Sequence, residues 1–328
     1  MKASIFELLR DVLALVMTLM PLTAIAQTPI VRPDLHTDTK VAPLYFGPNA
    51  FPVPDMLDGA VVPTLRATLA ADYARGDFGD GATSAMFHLR LPLFTSRANL
   101  AVWLPVVEGY HLTPEWKEHA RIADNPTTCG CEVGSAFVST DVVVLTEARR
   151  RPLITVRAAL KTASEDDWTT ARYYDCPGYF FDAALGKGLR FSASVLHELR
   201  LAASGGFLCW QTDNGRQNDA TMYAVGLKAR FGAPAANLAA DNPRRGVEFE
   251  LSQDFRGYSG WEGDGDRPMV VKTRFAADIP LSKPSEAPRR CSLTPFVSYE
   301  KGLRDYPYQR FEVGLSVDFD ILSKQRVF

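Results

Sequence analysis

The sequence predicts an all-β chain, a transmembrane antiparallel up-and-down β-barrel of about twelve strands. Three observations lead there. Beyond residue 60, apolar and polar residues alternate with a period of two in segment after segment, each about ten residues long, the length a tilted strand needs to cross a bilayer. No apolar run of membrane-helix length follows the N-terminal region, so a membrane chain of this kind would have to cross with strands. Aromatic residues also gather at the segment ends, where a barrel meets the two membrane interfaces.

The elements follow in order. Lys2 and Arg10 flank the start of an apolar run from Val12 to Leu22, and Ala24-Ile25-Ala26 then offers a small-x-small cleavage site. Residues 1–26 read as a secretory signal peptide cut after Ala26. Residues 27–60 carry Pro29, Pro33, Pro43, Pro48, Pro52 and Pro54, which exclude helix and ladder alike. Yet Tyr45, Phe46 and Phe51 are there too, and a solvated linker has no need of them. The stretch is expected to be an extended periplasmic segment or a plug packed against the following domain, with a mobile tether as the alternative.

The barrel domain is expected over 61–328, with strands near 61–73, 82–94, 98–110, 133–147, 152–163, 178–193, 198–211, 220–232, 246–258, 268–281, 292–303 and 308–322. The last shows the pattern best: Phe311, Val313, Leu315, Val317, Phe319 and Ile321 alternate with Glu312, Gly314, Ser316, Asp318 and Asp320. Helical periodicity does not recur after the signal peptide, and no internal repeat is visible. The longest connections, 111–132 and 164–177, fall on one side, as on the outer surface of an outer-membrane barrel. On the other side, 233–245 and 282–291 exceed the usual short turn.

A soluble β-sandwich alternates as well. The girdles favour the membrane: Tyr73, Tyr179, Trp210, Tyr223, Tyr258, Trp261, Tyr306 and Tyr308 near one rim, and Phe94, Phe231 and Phe319 near the other. The chain ends in Phe328 after an aromatic–aliphatic strand, which resembles the C-terminal assembly signal of Gram-negative outer-membrane proteins, although Ser323–Phe328 departs from the usual pattern. The implied location is the bacterial outer membrane, with its lipid as the surrounding partner.

Composition fits this reading. With 36 Lys+Arg against 38 Asp+Glu and 46% hydrophobic residues, long disorder, helical membrane bundles and nucleic-acid binding are all disfavoured. An apolar lipid row and a polar lumenal row cancel in the sum. Hairpin pairing predicts a lumenal charge ladder: Glu248 near Arg230, Glu250 near Lys228, Asp254 near Lys272, Arg274 near Glu300, Glu300 near Arg310, and Asp318 near Arg66 at the closing seam. Interleaved signs argue against a strongly ion-selective pore.

The remaining motifs are weak. Trp210-Gln211-Thr212-Asp213-Asn214-Gly215-Arg216 resembles the His-Gln-Ser-Asn-Gly-Arg motif of outer membrane phospholipase A over this stretch alone. The resemblance implies a lipid hydrolase using Thr212, Asp213 and Asn214, but Trp210 replaces the base that such chemistry needs. Glu262-Gly263-Asp264-Gly265-Asp266 lacks the spacing of a Ca²⁺ loop, and Cys129-Gly130-Cys131 lacks a second ligand pair, so no metal and no cofactor is expected. A disulfide between the loops of Cys129/Cys131 and Cys176 is allowed in an exported chain. Three functions remain open: a porin-like or structural barrel passing a small solute, a lipid hydrolase, and an envelope assembly protein that binds a partner.

Overall fold

The structure, a computed structural model, describes residues 41–58, 64–93, 97–164, 169–191, 195–212, 218–232, 247–261, 263–281 and 291–319, all within one compact unit. The expected signal peptide, residues 27–40, Phe94, Asp213, Asn214 and the C-terminal residues 320–328 lie outside the described residues.

Thirteen strands are described: β1 (Leu65–Gly76), β2 (Gly81–Pro92), β3 (Ala98–His111), β4 (Cys129–Glu132), β5 (Phe137–Leu145), β6 (Leu153–Lys161), β7 (Gly178–Arg190), β8 (Leu196–Trp210), β9 (Asn218–Phe231), β10 (Glu248–Gly260), β11 (Met269–Pro280), β12 (Cys291–Arg304) and β13 (Tyr308–Phe319). Every pairing is antiparallel between neighbours, and β1 also pairs with β13, so twelve strands close into a barrel. The extra strand, β4, lies on the loop end of β3, with His111 opposite Cys129. It belongs to a connection that the sequence reading left without structure. The same connection holds α1 (Pro114–His119), started by Thr113, whose hydroxyl accepts from the Trp116 amide at 3.1 Å. Six residues are too few for a 3.6-residue period to show.

Period two decides the two faces. Leu69, Phe181, Leu185, Val225, Phe275, Val297, Phe311, Val313 and Leu315 are exposed on the outside, while Asp182, Arg256, Glu300, Ser316 and Asp318 point inward and are buried. An apolar surface of this extent on a closed barrel needs lipid rather than water around it.

The girdle expectation holds only in part. Tyr73 and Trp261 are exposed at the long-loop end and Phe319 at the other. Trp210, Tyr258, Tyr306 and Tyr308 instead turn into the lumen and are buried. They do so because residues 41–58, the strap, lie inside the barrel and give them a surface to pack on.

Candidate functional site

The strap begins at the long-loop end, where the Val41 carbonyl accepts from Asn218 Nδ2 at 3.4 Å, and descends to Asp58, whose carbonyl accepts from Arg200 Nε at 3.1 Å. Apart from one 3₁₀ turn at Pro43–Tyr45 it forms neither helix nor strand, and its prolines withhold donors, so it binds chiefly through its carbonyls. Three tyrosine hydroxyls reach them: Tyr308 donates to Phe46, Tyr306 to Pro48 and Tyr258 to Phe51, each at 3.2 Å. Trp210 Nε1 in turn donates to the Tyr258 hydroxyl at 3.2 Å. Leu44 N bonds Gly265 O at 3.1 Å, and Gly47 N bonds Ala171 O at 2.8 Å. A side chain at Gly47 would put its Cβ 2.4 Å from the Arg172 carbonyl, so only glycine allows this approach. Phe46 and Phe51 pack edge to face, with Tyr174 and Trp210 beside them, in a buried aromatic core that fills the long-loop end of the lumen.

A charged cluster fastens this aromatic core. Arg172, Asp80 and Glu108 are each 0% exposed. Arg172 Nη1 lies 2.8 Å from Asp80 Oδ2 and Nη2 lies 3.4 Å from Glu108 Oε1. Tyr173 and Asn49 donate to Glu108 Oε2 at 2.9 and 2.6 Å, and Arg310 Nη2 donates to Asn49 Oδ1 at 2.6 Å. Burial pushes the Asp80 carboxyl above the usual carboxylate range against the pull of Arg172. Burial alone would lower the Arg172 guanidinium, but Tyr308, Glu108 and Asp80 raise it above its usual range.

Beneath the aromatic core the lumen holds a cavity of about 470 Å³ lined by the strap and the inward rows of the strands. The charge ladder lies here, and its geometry corrects part of the expected pairing. Arg66 and Asp318 face each other at the seam, 2.8 Å apart. Glu250 lies 3.5 Å from Lys228, and also 3.3 Å from Arg230 and 3.4 Å from Arg274. Glu248 is opposite Asp278 instead of pairing with Arg230, which takes Glu198 at 3.1 Å as its second acid. Arg274 is opposite Ser298, not Glu300. Asp254 is opposite Lys272 in register, but its carboxylate goes to Arg256 at 2.7 Å. Glu300 is likewise opposite Arg310, but its carboxylate meets Arg256, while Arg310 approaches Asp72 at 3.6 Å.

Several lumenal groups escaped the sequence reading. Arg157 holds Asp182 with two bonds of 2.7 and 2.9 Å across β6 and β7. Glu312, absent from the expected ladder, meets Lys272 at 3.3 Å. Asp55 and Asp58 of the strap supply two further acids, Asp58 lying 2.5 Å from Lys228. Nothing in a linear pattern tells which wall a non-strand carboxylate will meet.

Among the described residues the other motifs bring no reacting groups together. Thr212 is buried, and Trp210 beside it is committed to the aromatic core. Asp264 and Asp266 serve the strap and their own turn: the Tyr45 hydroxyl donates to Asp264 at 3.4 Å, and Asp266 accepts from the Gly263 amide at 3.0 Å. Among the described residues no group of three or more His, Cys, Asp or Glu is placed to hold a metal. No disulfide joins the five cysteines; Cys129 and Cys131 are exposed, whereas Cys176 is buried, which leaves the two loops unbridged.

No protein-family model matches the chain, and no curated protein matches it. Among solved structures it is similar to the COG4313 outer membrane channel from Pseudomonas putida F1, with 14% identity, a TM-score of 0.51, and 81% of this chain and 99% of that chain covered. Weaker likenesses are to the KdgM porin, with 8% identity, TM-score 0.37 and 76% and 97% covered, and to the β domain of the Bordetella autotransporter BrkA, with 13% identity, TM-score 0.46 and 78% and 99% covered. At these identities the likeness is one of fold. The chain has the twelve-stranded β-barrel fold of outer-membrane proteins.

Proposed function

We propose that this chain is a porin-like channel of the bacterial outer membrane that passes a small solute and is closed at its long-loop end by its own strap. The observation that carries the reading is the charged cavity of about 470 Å³ inside a closed barrel, within the range of sites for small molecules and capped by a packed aromatic gate. The exposed apolar rows match a lipid surround, and the longer connections mark the outward side. Because acids and bases alternate around the lumen, weak rather than strong ion selectivity is expected. Lipid hydrolysis at Thr212 gains no support, since Trp210 stands where that chemistry needs a base.

Conductance in planar bilayers tests this. The full chain is expected to open rarely, and deletion of residues 41–58 to raise its conductance. Tyr258→Phe and Tyr308→Phe, which remove two hydrogen bonds to the strap, are expected to lengthen openings with the barrel intact. Silence of every variant that still migrates as a folded barrel before heating would refute the channel.

A further inference from the structure

The strap is held in two different ways along its length. Its upper half, from Leu44 to Phe51, sits in the aromatic core and on the tyrosine hydroxyls. Its lower half meets a row of cations. Arg256 Nη2 lies 3.0 Å from Asp55 Oδ1, Lys272 Nζ lies 3.7 Å from the same oxygen, and Arg157 Nη2 donates to the Asp55 carbonyl at 2.9 Å. These three cations come from β10, β11 and β6, and their side chains are only 4%, 17% and 9% exposed. Arg157 also holds the wall acid Asp182, Arg256 holds Asp254 and Glu300, and Lys272 holds Glu312; the strap carboxylate that Arg256 and Lys272 share is different. The Asp55 side chain is 61% exposed, so it stands out into the cavity with free space beside it. The cations are part of the wall, and the carboxylate is a guest among them.

The same cavity has an apolar side. Trp103 and Phe137 face each other across β3 and β5, stacked with centroids 5.1 Å apart and planes 9° from parallel. Both line the cavity, together with Met86 and Pro105. Trp103 keeps part of its surface exposed there. A purely aqueous passage for inorganic ions gains nothing from an aromatic stack in its wall, whereas an apolar body gains by covering it.

We infer that Arg256 and Lys272 form a carboxylate site in the lumen, that Asp55 fills it from within, and that a small organic carboxylate with an apolar body competes with Asp55 for it, its body lying against Trp103 and Phe137. The site deepens the channel reading and rests on it for its transport consequence, since a solute that displaces Asp55 loosens the lower strap while the aromatic gate still holds the upper part. Occupancy by the strap sets the apparent affinity, because a solute meets only the fraction of molecules whose site is free.

Titration calorimetry on the full chain in detergent micelles, with benzoate as the probe, tests the site without any current being measured. If the strap fills the site about nine-tenths of the time, Asp55→Asn is expected to tighten benzoate binding by about tenfold. Adding Lys272→Gln to that variant is expected to abolish the gain, and Trp103→Ala to weaken benzoate while leaving acetate unchanged. Heat-dependent gel migration checks that each barrel is folded. Equal benzoate affinity in the parent and the Asp55→Asn chain would overturn the inference, as would undiminished binding in the doubly substituted chain or equal binding of neutral benzyl alcohol. Silence of every folded variant in the bilayer, strap deletion included, with these binding results intact would refute the channel and leave the carboxylate site standing; a conducting channel with no benzoate binding would do the reverse.

Discussion

Replacing Arg172 by Met removes the cation at the centre of the gate while keeping much of its volume. Arg172, Asp80 and Glu108 are all 0% exposed, so no water is at hand to take over. Glu108 keeps Tyr173 and Asn49 as donors at 2.9 and 2.6 Å. Asp80 is less well provided: among the described residues Arg172, at 2.8 Å, is its only ion-pair partner. Breaking a buried pair from one side costs about 3–5 kcal/mol, mostly because the other charge is left buried. The barrel ladder does not depend on this pair, so the loss falls on the strap and the loop that carries Arg172. Their backbone amides are expected to exchange with deuterium faster by about a hundredfold to a few thousandfold, at 1.4 kcal/mol per factor of ten. The amide of Gly47, which bonds Ala171 O at 2.8 Å, is the one to follow by hydrogen-exchange mass spectrometry. Arg172→Met/Asp80→Asn is expected to recover most of the protection, because it leaves no orphaned charge. Unchanged exchange around residues 44–51 and 169–174, or acceleration spread evenly over the strands, would refute the assignment of this cluster as the fastening of the gate.

Other outcomes follow from single features. Glu250→Gln removes an acid shared by Lys228, Arg230 and Arg274, so reversal potentials in a salt gradient should shift toward anions. Val225→Arg sets a charge on the exposed face in the middle of β9 and is expected to cost about 2–4 kcal/mol of folding free energy in a bilayer, read from denaturant titration in vesicles. Cys129 and Cys131, exposed on β4 among the longer connections, should react on intact cells with a membrane-impermeant maleimide, while Cys176 and Cys209 stay unlabelled until the chain is unfolded.

The strands were legible because one buried and one lipid-facing row impose a strict alternation, which survives in sequences as plain as that of β13. The pairing register was legible outright at Arg66–Asp318, Asp254–Lys272 and Glu300–Arg310, and elsewhere only modulo two. Setting Glu248 rather than Glu250 against Arg230, or Arg274 rather than Lys272 against Glu300, slips a hairpin by two residues, and such a slip keeps every side chain on its own face. A one-residue slip would have exposed itself at once. The gate was hidden for another reason. An aromatic at a strand end satisfies an interface as well as a lumen, and Tyr258, Tyr306 and Tyr308 are drawn inward by carbonyls more than two hundred residues away in the chain. The strap's own aromatics, Phe46 and Phe51, did signal packing in an otherwise broken segment, without naming its partner.

The strap leads into β1, and β1 is one side of the seam that β13 closes. A sheet built in chain order stays an open trough until that last strand docks. Whatever lies in the trough at that moment is enclosed, so in that order the strap would be laid down first and roofed over afterwards, like a wick in a moulded candle. Assembly in chain order would give this barrel a timetable as well as a topology. A strap slow to settle would leave the aromatic row of Trp210, Tyr258, Tyr306 and Tyr308 facing an empty bore, and a barrel closed in that state would be a leak in the envelope.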